Sequence, residues 1–218
     1  MRRLSRTASS PGFTLAEVMI SVGLVGLVTG AVLLVFWNGI ALWQRHEAES
    51  TAHLNSTQAV RRIVADARDG VQAKVYNRAS GLWKALELVL PADTDADGNY
   101  VPVWDGKKLT YREGQRLLFY LSDATGAYDA GGDILWRATV PGPGPPSTTN
   151  LAPDADWSLY YDTGRGRVSA IENLDFPNQE GGKVYSWVAV TATAAVPAGD
   201  RIWRAEAAGR AHLRHCNQ

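Results

Sequence analysis

The chain has 218 residues, its 22 Lys and Arg balanced by 22 Asp and Glu, with a pI near 6.9. That balance excludes a global basic field for recruiting nucleic acid or anionic lipid, and no nucleic-acid partner is expected. The single cysteine, Cys216, excludes an intrachain disulfide.

Residues 1–12, MRRLSRTASSPG, carry Arg2, Arg3 and Arg6 and no acid. Basic residues on a short N-terminal flank hold that end in the cytoplasm. A secretory signal places its apolar core before the cleavage site; here the apolar run comes after the Gly12-Phe13 junction instead. Between Val18 and Trp37 there is no charge, and twenty such residues as a helix span roughly 30 Å, a bilayer's hydrocarbon core. The spacing predicts a membrane-crossing helix over residues 13–43, with Trp43 near the interface and the domain after it outside the inner membrane. Its one acid, Glu17, would cost roughly 2–3 kcal/mol at mid-bilayer. The positive end of the helix dipole lessens that cost. An intramembrane carboxylate is a functional-site candidate whose partner has to be named. Gly26 and Gly30 match the small-residue spacing that lets membrane helices approach closely. Equally, the glycines weaken the helix locally. Both readings stay open.

Gly12-Phe13-Thr14-Leu15-Ala16-Glu17 closely resembles the processing site of type IV prepilins and of the pseudopilins of type II secretion. The resemblance implies a dedicated membrane prepilin peptidase that cuts between Gly12 and Phe13 and methylates the new amine. Residues 1–12 would then be a leader peptide, and Phe13 and Glu17 would serve assembly. In that family the acid is thought to neutralise the terminal amine of a neighbouring subunit, here the amine of Phe13. Subunits at the extreme tip can dispense with it, so Glu17 implies another subunit above. Further partners would be other (pseudo)pilin subunits and an inner-membrane assembly platform.

From Gln44 the chain turns polar. Val60, Ile63, Val64, Ala67 and Val71 follow the spacing of one helical face, flanked by Arg61, Arg62, Asp66, Arg68 and Asp69, with Arg62 and Asp66 at i, i+4. A helix over 44–70 that stops at Gly70 is expected. His46 and His53 read as solvated. From about residue 82 the period falls to two: LWKALELVL, KKLTY, RLLFYL, ILWRATV, WSLYY and KVYSWVAVTATAAV read as strands. In the last, Val184, Val188 and Val190 are expected on one face, with Thr191 and Thr193 on the other. The expected architecture is α+β, an antiparallel sheet packed on the second half of the helix. Residues 141–156, rich in proline, read as an exposed loop within the sheet domain of residues 44–218.

The motifs of common enzymes are missing: no Gly-x-Ser-x-Gly, no His-Glu-x-x-His, no Walker loop. Gly164-Arg165-Gly166-Arg167 reads as a turn. His212, His215 and Cys216 lack a fourth ligand and are assigned no metal. Trp83, Trp104, Trp136, Trp157, Trp187 and Trp203 sit in strand-like runs, as core or interface residues.

Asp93, Asp95 and Asp97, followed by Gly98, match the first half of an EF-hand-type calcium loop. The second half departs from it, since Trp104 stands where a bidentate Glu belongs. Calcium held by these three acids and an acidic hairpin tip are the two readings. Finally, Ile171 to Phe176, Val188 to Val190 and Leu213-Arg214 loosely resemble the end of the J-type and W-type minor subunits. The function expected is a minor pseudopilin or minor prepilin in a bacterial filament, at or near its tip. The alternative is a membrane-anchored binding or adhesion module outside any filament.

Overall fold

A computed structural model describes residues 12–78, 82–142, 146–147, 151–154 and 170–215. The chain divides into two compact units, Met1–Gln44 and Arg45–Gln218. One helix, α1, runs Leu15–Arg68. It includes a stretch long and apolar enough to cross a membrane, none of which is buried, and no other such helix occurs among the described residues.

Within Arg45–Gln218 the fold is α+β. After α1 come β1 (Gln72–Tyr76), β2 (Ala85–Pro91), β3 (Val103–Trp104), β4 (Leu109–Thr110), β5 (Glu113–Ser122) and β6 (Ile134–Val140). There follow β7 (Ala152–Pro153), β8 (Ile171–Asp175), β9 (Val184–Tyr185), β10 (Trp187–Ala198) and β11 (Arg201–His212). Six strands form an antiparallel sheet in the order β7-β6-β5-β2-β1-β9, three form a second in the order β11-β10-β8, and β3 pairs with β4.

The expected helical face meets both sheets. Ala59, Val60, Ile63 and Ala67 join one core with Leu86, Leu88 and Phe119 of the first sheet and Val188 and Val190 of the second. Strands β2 and β5 are central and covered on both sides, which is why they read as nearly continuous apolar runs. Leu117, Phe119 and Leu121 face this core, while Leu118 and Tyr120 face a smaller one with Trp136 and Ala138. Glu87, 1% exposed, lies among these residues. Its carboxylate accepts a hydrogen bond from the Tyr76 hydroxyl at 2.5 Å and pairs with the Arg116 guanidinium at 2.6 Å, so the buried charge is compensated. Burial and the Glu87 carboxylate push the Tyr76 hydroxyl well above its ordinary pKa.

The C-terminal tail ends the helix. The Arg214 N–H donates to the Arg68 carbonyl at 2.9 Å, and the His215 N–H donates to that of Gly70 at 3.4 Å. These bonds satisfy carbonyls the last turn leaves over. A Cβ on Gly70 would stand 3.2 Å from Leu213 Cδ2, so glycine lets the tail close here. At Gly209 the approach is tighter, because a Cβ there would lie 2.5 Å from Val60 Cγ1. Gly209→Ala is therefore expected to lower stability by roughly 1–3 kcal/mol, the usual cost of overpacking, read as a lower urea midpoint at unchanged slope. An unchanged midpoint would mean that β11 does not press on α1.

Several expectations are corrected. The sheet begins at Gln72, not near residue 82, because Ala73 and Val75 alternate into the core directly after the helix turn. Val184 does not share a strand with Val188 and Val190: a bend at Ser186 sends β9 to the first sheet and β10 to the second, leaving Val184 59% exposed. Of KKLTY only Leu109–Thr110 is strand. The proline-rich segment contributes β7, a two-residue edge strand, where a missing N–H is tolerated. Arg62, expected to flank the apolar stripe, is itself buried at 3% exposure. Asp66 pairs with Arg137 at 3.4 Å, and burial pushes its carboxyl up against the pull of that guanidinium. Trp136 is buried while Trp83 and Trp104 are exposed. The expected strand at WSLYY with Trp157, the Gly164–Arg167 turn and Cys216 lie outside the described residues.

Candidate functional site

The N-terminal unit carries the processing and assembly candidates. Gly12 and Phe13 are exposed, with Phe13 84% accessible. Thr14 precedes the first helical residue, Leu15, and stands at the N-cap. Its backbone N–H donates to Glu17 Oε2 at 3.0 Å and its hydroxyl donates to the same oxygen at 3.1 Å. In return the Glu17 N–H donates to Thr14 Oγ1 at 3.3 Å. This is a complete capping box, with the acid at the third helical position. It satisfies backbone donors that the first turn cannot pair internally and sets the carboxylate at the positive end of the helix. Glu17 thus has a local partner, Thr14, that the membrane reading of its charge did not name. The signal was in the sequence, since Thr-x-x-Glu before an apolar run is the spacing of such a box.

Beyond this cap the apolar run offers side chains on every face. Leu24, Leu27, Leu34 and Phe36 are all exposed, as are Val25, Val28 and Val35. A helix apolar all round is stable only in lipid or among other helices. Gly23, Gly26 and Gly30 have open space where a Cβ would stand.

The second candidate is the Asp93–Gly98 loop. Thr94 and Tyr100 form an isolated antiparallel bridge, and the Val101 N–H donates to the Asp93 carbonyl at 2.9 Å. Asp95 Oδ1 accepts the N–H groups of Asp97 at 3.0 Å and Asn99 at 2.8 Å, and Oδ2 accepts the Asn99 side-chain amide at 3.3 Å. The Asn99 backbone bond does most to hold the Asp95 carboxyl below its ordinary range. Gly98 adopts φ +83°, open to glycine and strained for other residues. Asp93 stands 3.9 Å from Arg112. Asp95 therefore closes a tight turn, while Asp93 and Asp97 are not gathered with it. Among the described residues no group of three or more His, Cys, Asp or Glu side chains is placed to hold a metal ion.

The Asp95 bonds are those of a hairpin tip, and the hairpin-tip and calcium readings are told apart by melting. If the loop is only a turn, the full chain in detergent melts at the same temperature in millimolar calcium and in chelator. Asp95→Ala should lower stability by about 1 kcal/mol in both, as loss of a local side-chain cap does. A calcium-dependent rise that disappears in Asp95→Ala would assign Asp93, Asp95 and Asp97 as ligands.

His46 and His53 are exposed, and His215 packs edge-on against Tyr100 and Tyr111 at centroid distances of 5.5 and 4.4 Å. Burial lowers its pKa. No protein-family model, curated protein or solved structure matches the chain.

Proposed function

We propose that the chain is a minor pseudopilin or minor prepilin, a structural subunit of a type II secretion pseudopilus or type IV pilus-like filament. The observation that carries this reading is the N-terminal constellation: Gly12-Phe13 ahead of a capped helix whose one early acid is Glu17 and whose apolar run is exposed all round. A prepilin peptidase of the inner membrane would remove residues 1–12 and methylate Phe13. The run to Trp43 would hold the subunit in the membrane, with its N-terminus cytoplasmic and its folded unit outside. On assembly the same surface would pass from lipid to the helices of other subunits, which present similar apolar surroundings. The α+β unit carries no catalytic role in this reading. It would be displayed at or near the filament tip.

N-terminal sequencing of the membrane-extracted protein tests the proposal. A mature chain that starts at Phe13 with a methylated amine supports it. An intact leader, or a cut beyond Phe13, would leave a membrane-anchored module outside any filament.

A further inference from the structure

We infer that a cleft between the end of α1 and the first sheet binds a primary ammonium group on a short alkyl stem, carried by a free amine or by a lysine side chain of a partner protein.

The cleft lies within the folded unit and holds about 160 Å³. Pockets for drug-sized molecules hold roughly 300–1,000 Å³, so this one admits a headgroup of a few heavy atoms. Leu90 of β2 and Leu117 of β5 give it an apolar part. Asp66, in the last turn of α1, and Asp69, just past that turn, bring two carboxylates to it. Tyr100, Gln115 of β5 and Arg137 of β6 complete the lining.

Both signs of charge are present, but the donors are already committed. Arg137 donates from Nη1 to Asp66 Oδ2 at 3.4 Å and from Nη2 to Asp154 Oδ2. The Gln115 Nε2 donates to Thr139 Oγ1 at 3.2 Å. What the cleft offers a ligand is therefore mostly acceptors: Asp66 Oδ1, the Asp69 carboxylate, the Gln115 amide oxygen and the Tyr100 hydroxyl oxygen. Arg214 comes only to 3.9 Å from Asp69, and at 65% and 48% exposure water screens that pair. The local field has the same sign. Burial first, then the Asp69 and Asp66 carboxylates, push the Tyr100 hydroxyl above its ordinary pKa.

An anion finds no uncommitted cation there. An ammonium brings three N–H donors and no acceptor, which matches what is left over. Its methylenes pack on Leu90, Leu117 and the Tyr100 ring while its charge meets the carboxylates. A calcium ion asks for six to eight oxygens, and among the described residues no third His, Cys, Asp or Glu joins Asp66 and Asp69 as a metal-holding group.

The experiment melts the full chain in detergent, with n-butylammonium chloride as the probe. At about 100 mM it is expected to raise Tm by about 3 °C over the same concentration of sodium chloride. Asp69→Asn and Gln115→Leu, on different elements, should each abolish the rise. Glu206→Gln, which removes an exposed acid of β11, should keep it. Nα-acetyl-lysine methylamide separates the two sources. A rise equal to that with butylammonium supports a partner's lysine, and butylammonium acting alone supports a free amine. No rise in the unmutated chain overturns the inference. So does an equal rise with tetramethylammonium, which has no N–H, or a rise that survives Asp69→Asn. A rise with magnesium chloride and none with butylammonium makes the cleft a metal site and overturns it as well.

Discussion

The Gly12→Val variant is expected to keep its leader, stay inserted in the membrane and never enter a filament. In the proposed role the peptidase must bring the Gly12 carbonyl against its catalytic groups, and a Cβ at that position holds the chain off. A displacement of about 1 Å at a reacting centre costs on the order of 100-fold in rate. Misfolding does not explain such a loss, because a side chain at Gly12 meets no atom within 4 Å. Gly209→Ala gives the opposite pattern: a less stable domain on a chain that is still processed. Gel mobility, followed by mass analysis of the N-terminal peptide, separates the two. A Gly12→Val protein that runs at the mature position would sink the processing proposal.

What was legible in the sequence depended on periodicity staying within one environment. Val60, Ile63 and Ala67 announced a helical face because all three meet the same core, and Val71, past the end of the helix, is buried as well. The run from Val184 to Val196 has one unbroken alternation, yet it crosses from one sheet to another at Ser186. Alternation says which residues share a face and nothing about which sheet owns them, so Val184 was misplaced. Strand β1 was missed for a related reason. Its five residues follow the helix stop at once, and Gln72 and Lys74 look like a continuation of the polar connection. Charge misled as well. Arg62 was read by its charge as a flank, yet the whole side chain is buried, guanidinium included. At the candidate site, the acid at position 17 drew the eye to the membrane problem and away from its neighbour. The Thr14–Glu17 box shows that one carboxylate is suited to two tasks, ending a helix and supplying a charge.

Those two tasks can be separated at Glu17, where glutamine and leucine are expected to behave alike. Glutamine at the third helical position still accepts from Thr14, so Glu17→Gln keeps the capping box and removes only the charge. Leucine removes both. If the acid serves chiefly as a cap, Glu17→Gln assembles like wild type and Glu17→Leu loses about 0.5–2 kcal/mol of helix stability. If it neutralises the Phe13 amine of a neighbouring subunit, either variant strands an ammonium in an apolar filament. Removing one partner of a desolvated pair costs roughly 3–5 kcal/mol, equivalent to at least about 100-fold in the assembly equilibrium. The charge term is larger, so both variants should be cleaved after Gly12 and inserted normally, yet be nearly absent from sheared filaments. Thr14→Ala, which loses the cap and keeps the carboxylate, should assemble with only a mild deficit. The geometry allows this division of labour, because both Thr14 bonds fall on Oε2 and neither uses Oε1. Wild-type incorporation of Glu17→Gln, measured by immunoblot of the sheared fraction against the membrane fraction, would reduce Glu17 to a helix cap.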